Sequence, residues 1–163
     1  PLILDKKGGF WMVAEQGLYS TRTVRSGSSV TVYDVYTRGD VYVARYSPDY
    51  ERIFVSKMEK HQKLADAGLN FLSFSAHPYR DRLYLLYNAV TEKEAGMLGF
   101  KEFGTRLWAV DAQGNSFEKV LFTNKDMGID PLARFAGLAG NALMLYGQGK
   151  NAFQHRFIRI ALD

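Results

Sequence analysis

Apolar positions fall along this chain in short runs of roughly four to eight residues, bounded by Gly, Asp, Asn and Pro, with no helical period sustained over a long window. The clearest run is Asp40–Ser47, where Val41, Val43 and Arg45 alternate with Tyr42, Ala44 and Tyr46. That period of two is the pattern of a half-buried strand. Leu2–Leu4, the turn Asp5–Gly9, Phe10–Glu15, the turn Pro48-Asp49 and Arg52–Met58 continue it. A second pass predicts strands at Phe71–Ser75, Arg82–Tyr87, Arg106–Val110 and Phe117–Phe122, with turns at His77–Asp81 and Asp111–Asn115. A third predicts Ala133–Leu138, the turn Ala139-Gly140-Asn141, Leu143–Tyr146 and Phe157–Leu162.

Superimposed, the passes form a weak internal repeat of strand A, turn, strand B, longer loop, strand C, turn and strand D. Leu83–Asn88 matches Trp11–Gln16 and Leu143–Gln148, and Leu107–Gln113 matches Tyr42–Pro48 and Phe157–Asp163. Matching positions lie about 50 to 72 residues apart, on the scale of a propeller blade with loop insertions. The units span 1–60, with an inserted hairpin at 17–39, then 70–123, then an incomplete 132–163 that stops after strand C. Leu107–Asn115 with Phe117–Phe122 resembles the C–turn–D segment of quinoprotein-like β-propellers. Gly39–Asp49 is similar to blades of uncharacterised secreted bacterial propeller proteins. The resemblance implies an all-β fold of antiparallel four-stranded blades, a partial β-propeller of about three blades with the last incomplete.

Two stretches depart from the repeat. Gly17–Gly39 reads as a long hairpin with Ser26-Gly27-Ser28-Ser29 at its tip. Ser56–Leu69 places Met58, Leu64, Ala65 and Leu69 at loosely helical spacing, which predicts a short helix around Met58–Gly68.

Composition narrows the function classes. Ten Tyr and eleven Phe among 163 residues favour pleated, half-buried surfaces. Lys and Arg are scattered singly apart from Lys6-Lys7, and the net charge is +4, so no basic stripe for nucleic acid is expected. The chain has no Cys, which excludes thiol catalysis, disulfides and thiolate metal sites. No apolar run reaches the ~20 residues of a membrane span. Strand-like sequence begins at once after Pro1, and the expectation is a C-terminal fragment of a longer, extracytoplasmic protein of the periplasm or cell surface.

Candidate chemistry is sparse. His61, His77 and His155 lack partners at ligand spacing and read as surface histidines. Ser47–Phe54 resembles a degenerate sialidase Asp-box, with Ser47 and Asp49 in place, Phe54 for the Trp and Glu51 for the Gly; the resemblance implies a structural turn. Gly147–Lys150 lacks the full spacing of a phosphate loop. The hairpin supplies the candidate ligand-binding residues: Tyr19, Tyr33 and Tyr36 offer faces for stacking, and Arg22, Arg25 and Arg38 offer anion pairing. The expected role is a non-enzymatic binding or scaffolding portion of a larger propeller protein, with no cofactor or metal. Its partners would be the remaining blades, a second copy, or a carbohydrate or protein ligand. The alternative is part of a propeller enzyme, a glycoside hydrolase or quinoprotein-like oxidoreductase whose catalytic residues lie partly elsewhere.

Overall fold

A computed structural model describes residues 1–65, 70–89, 95–96, 99–100, 103–149 and 154–162. Strand outweighs helix 71% to 6%, which makes the protein all-β. The first sheet runs β1 (Leu2–Leu4), β2 (Phe10–Ser26), β3 (Ser29–Tyr46) and β4 (Arg52–Met58) in spatial order, with β5 (Gln62–Ala65) added beside β3. The second is a four-stranded meander of β6 (Phe74–Tyr79), β7 (Arg82–Ala89), β10 (Gly104–Asp111) and β11 (Ser116–Thr123); a two-residue pair, β8 (Ala95–Gly96) and β9 (Gly99–Phe100), interrupts it between β7 and β10. In the third, β14 (Ala142–Gly149) pairs β15 (His155–Ala161) on one side, and β12 (Ile129–Pro131) and β13 (Gly137–Ala139) on the other. Every described pairing is antiparallel.

The sheets stack face to face because of which side chains alternate inward. Trp11, Val13, Val41, Val43 and Met58 of the first sheet form one cluster with Leu83, Leu85, Tyr87, Trp108 and Val110 of the second. The opposite face of the second sheet sends Tyr84, Leu86, Leu107 and Ala109 into another cluster with Leu143, Leu145 and Leu162. The second sheet is therefore covered on both sides, and Leu83–Asn88 is buried without a break. A strand in that position must be apolar at successive residues rather than at every second one.

One five-residue turn closes three hairpins at the same end of the stack. In Asp5–Gly9, Ser47–Glu51 and Asp111–Asn115 the first N–H donates to the fifth carbonyl at 2.9 Å. The first side chain accepts from the fifth N–H at 3.0, 3.1 and 2.9 Å in turn. The fourth residue is left-handed: Gly8, Tyr50 and Gly114, at φ 86°, 64° and 92°. The Asp-box-like segment is thus the structural turn its resemblance implies, and Tyr50 occupies a position that suits glycine.

Several expectations need correction. The helix around Met58–Gly68 is absent through Ala65: β4 runs to Met58, and Gln62–Ala65 is a strand whose Gln62 and Leu64 are buried in alternation. Residues 66–69 lie outside those described. A single helical turn sits instead at α1 (Asn124–Met127), held by a capping box between Thr123 and Asp126. The expected turn His77–Asp81 shrinks to Arg80-Asp81, and β6 carries Pro78 at no cost because it is an edge strand. The expected strand Ala133–Leu138 is a 3-10 turn over Ala133–Phe135 followed by β13.

Trp108 and Trp11 are 5% and 2% exposed and pack between the first two sheets. Trp108→Ala is expected to cost about 3–5 kcal/mol in chemical denaturation. Tyr50 is exposed and strained, so Tyr50→Gly should stabilise by roughly 0.5–1 kcal/mol. An unchanged denaturation midpoint for either variant would contradict these assignments.

Candidate functional site

The hairpin of 17–39 forms as a long two-stranded ribbon. Strands β2 and β3 pair continuously from Gly17↔Arg38 to Ser26↔Ser29, and a two-residue loop with Gly27 at φ 61° closes the tip. At its root the register shifts between Glu15 and Gly17, which releases the ribbon from the sheet's pairing. Strand β5 supports it only at Val35–Arg38.

Register sorts the six candidate residues, since directly opposed residues share a face. Tyr19, Tyr36, Arg25 and Arg38 lie on one face, where Tyr36 packs against Leu64, Leu72 and Phe103 near the second sheet. Arg22 and Tyr33 oppose each other on the other face. The six therefore do not form one cluster. On the first face the Tyr19 and Tyr36 rings are 5.3 Å apart, and the Tyr19 hydroxyl donates to Asp34 at 2.8 Å. That carboxylate holds the Tyr19 hydroxyl above its ordinary pKa.

Beneath the ribbon root runs a polar chain that the sequence reading missed. Lys60 Nζ, in a side chain 1% exposed, donates to Glu15 and, at 2.7 Å, to Gln62 Oε1. Burial lowers the Lys60 pKa, and the Glu15 carboxylate opposes that shift. Glu15 also accepts from Ser73 Oγ at 2.8 Å and lies 3.8 Å from Arg38 Nε. Gln62 Nε2 donates to the Asn88 carbonyl at 2.5 Å. Asn88 Nδ2 donates to the Pro131 carbonyl at 2.8 Å, and its Oδ1 accepts from Thr105 at 3.0 Å. Side chains and backbone of all three sheets are thereby tied at one end, the end from which the connections after β2, β7 and β14 leave. A signal for this existed: Glu15 has the inward parity of Trp11 and Val13, and Gln62 that of Leu64.

Other polar groups have structural explanations. Arg45 pairs with Asp5 at 2.9 Å, and its guanidinium carbon lies 4.8 Å from the centre of the Trp11 ring, a cation–π contact. Tyr87 donates to Glu118, which also pairs with Arg106 at 3.2 Å. His77, expected on the surface, is partly buried in β6 with Nε2 unpartnered. His155 is exposed and stacks on Tyr146, while His61 is exposed. Among the described residues no group of three His, Asp or Glu could hold a metal, and no helix is long and apolar enough to cross a membrane. A depression of about 360 Å³ lined by Arg80, Asp81, Arg82 and Tyr84 lies at the turn end, with a rim of hairpin residues and no acid/base pair.

No family model matches the chain, and comparison with curated proteins and with solved structures finds no match. What the fold defines is the class: an all-β protein of antiparallel sheets.

Two measurements probe this region. Lys60→Met leaves Glu15 without its main cation and should cost on the order of 3 kcal/mol; Lys60→Met with Glu15→Gln should recover part of it in a double-mutant cycle. Burial holds the His77 imidazole below its usual value, with a backbone hydrogen bond to Ala136 opposing. The unfolded chain then takes up the proton first, so this histidine's contribution is full above about pH 6.5 and is lost as pH falls below it. His77→Gln should flatten the fall in stability between neutral pH and roughly pH 5.

Proposed function

We propose that this chain is a run of β-propeller blades that presents a binding or scaffolding surface and does not catalyse a reaction. The observation that carries this reading is the second sheet, an antiparallel four-stranded meander buried on both faces between two other antiparallel sheets. Propeller blades need such a neighbour on each face, because a four-stranded sheet that is apolar on both sides is not stable alone. The edge strands support it too: β6 lies against β13 and the adjoining 3-10 turn, so the leading edges of the second and third sheets converge. Binding rather than catalysis is favoured because Lys60, Glu15 and Tyr87, three ionisable groups withdrawn from solvent, are engaged with protein partners. The exposed chemistry is aromatic and cationic, and it sits on the ribbon.

The surface assigned to ligand is the ribbon face of Tyr19, Arg25, Tyr36 and Arg38, and the ligand is a carbohydrate or an extended peptide that stacks on tyrosine and pairs with arginine. Amide resonances of the ribbon, followed while neutral and acidic oligosaccharides and peptides are titrated, test this. Shifts should be confined to that face, and Arg25→Ala should weaken binding about tenfold, the loss of one charge-assisted hydrogen bond. Turnover of chromogenic glycosides above background would overturn the non-enzymatic reading. A crystal structure tests the architecture: β1, β6 and β13 should line one common axis, and flat parallel layers would overturn the propeller.

A further inference from the structure

The turn end of the second sheet gathers positive charge that no described carboxylate neutralises. Arg80 and Asp81 form the two-residue loop between β6 and β7, and Arg82 begins β7. The Arg80 guanidinium lies 5.2 Å from the Tyr79 ring, and that of Arg82 lies 5.9 Å from the Phe117 ring. Such stacking steadies a long side chain and leaves its in-plane N–H groups free to donate. Neither arginine has a carboxylate partner among the described residues. Two carboxylates are near, and both are engaged. Asp81 pairs with Lys7 of the first sheet's turn at 3.0 Å. Asp111, opposite Arg82 in the register, accepts from Gln113 N, Asn115 N and Asn115 Nδ2 at 2.9, 2.9 and 3.0 Å. Arg80, Arg82 and Lys7 set against Asp81 and Asp111 leave an excess of positive charge.

Both arginines line the depression of about 360 Å³, together with Asp81 and the buried Tyr84. That volume is at the small end of the roughly 300–1,000 Å³ of ligand pockets. On the same face His77 opposes Tyr84, and its Nε2 is buried without a hydrogen-bond partner. The backbone adds a third observation. Arg80 stands at φ 53° in a two-residue hairpin loop, where glycine, asparagine or aspartate is the unstrained choice. An arginine there bears a conformational cost that glycine would avoid, and outliers of this kind cluster at ligand sites. We infer that the depression is an oxyanion-binding site, in which Arg80 and Arg82 hold the phosphate or carboxylate group of a small molecule. Guanidinium groups suit such oxyanions because their N–H groups donate in pairs. The site lies at the opposite end of the stack from the ribbon. It needs only the β6–β7 hairpin and its neighbours, so it stands whether or not the sheets form a propeller.

Nuclear magnetic resonance titration of the intact chain tests this. Inorganic phosphate and D-glucuronate are separate probes, with ionic strength held constant by sodium chloride. Shifts should centre on Arg80, Arg82, Tyr84 and the His77 ring and saturate below about 20 mM, as a dissociation constant of ~1 mM requires. Saturation by phosphate alone marks the ligand as phosphate-bearing, and saturation by glucuronate shows that a carboxylate suffices; either supports the site. Arg82→Gln should weaken binding at least ~10-fold, the loss of one charge-assisted hydrogen bond. Arg80→Gly should weaken it as much while raising the urea midpoint, because glycine relieves the left-handed backbone. Binding lost with the midpoint held or raised is loss of charge and not of fold. No saturable shift with either probe overturns the site, as does a shift that sodium chloride alone reproduces. Shifts confined to the ribbon would assign the anion to Arg25 and Arg38 and overturn it too. So would unchanged affinity in Arg82→Gln, whatever the stability of Arg80→Gly.

Discussion

Burial of the second sheet on both faces is the constraint from which the other features follow. It requires β7 to be apolar at consecutive residues, and Leu83–Tyr87 is buried throughout. It requires β10 to supply large residues to both sides, with Trp108 and Val110 facing the first sheet and Leu107 and Ala109 facing the third. At ~25 cal/mol per Å², the side chains of β7 and β10 supply much of the apolar burial, and they do so only while both neighbours are docked. The three sheets are accordingly one cooperative unit rather than three independent meanders.

The polar chain at the ribbon end follows from the same packing. Where β2 passes into the ribbon and β7 and β14 end, strand backbones and inward polar side chains meet away from water, and each needs a partner. Asn88 supplies three of them, through its carbonyl to Gln62, its Nδ2 to Pro131 and its Oδ1 to Thr105. Lys60 brings a charge into this region, which is costly unless paired, and Glu15 and Gln62 pair it. Hydrophobic faces hold the sheets together, but they tolerate sliding. Directional bonds from Glu15, Lys60, Gln62 and Asn88 define one alignment of the sheets and one exit direction for the ribbon.

Much of this was legible in the sequence where period and turn chemistry agree. Alternation in Asp40–Ser47, the unbroken run at Leu83–Tyr87 and the Asp/Gly turns at Asp5–Gly9 and Asp111–Asn115 each fold as their composition requires. The ribbon tip at Gly27 was legible because a two-residue hairpin loop needs a left-handed residue. Ser56–Leu69 was misread because Met58, Leu64 and Ala65 satisfy a loose helical spacing, while Gln62, the residue that fixes the strand's parity, is polar and carries no hydrophobic signal. Ala133–Leu138 misled for a related reason: it is apolar enough for a strand but must bend around the second sheet, so it breaks into a 3-10 turn and a short strand. The candidate site was legible as a segment and not as a geometry. Residue types identified Tyr19, Arg22, Arg25, Tyr33, Tyr36 and Arg38, but their division between two faces follows from strand alternation and from the β2–β3 register fixed at the Gly27 tip, which residue types alone do not give.

The bulge between Glu15 and Gly17 separates two jobs that one pair of strands performs. Below it, β2 and β3 are core strands that supply Trp11, Val13, Val41 and Val43, four of the five buried first-sheet residues that pack on the second sheet. Above it, the same strands leave that packing, and Ser20–Asp34 continues as cross-strand pairs of β2 with β3. A two-stranded ribbon is marginal by itself, so its stability depends on its root, where Arg38 meets Glu15 and β5 pairs with Val35–Arg38. The root contacts belong to the same polar chain that aligns the sheets. The position of the exposed tyrosine and arginine face is therefore coupled to the packing of the stack, and a surface on a nominally free arm is held by the buried lysine beneath it.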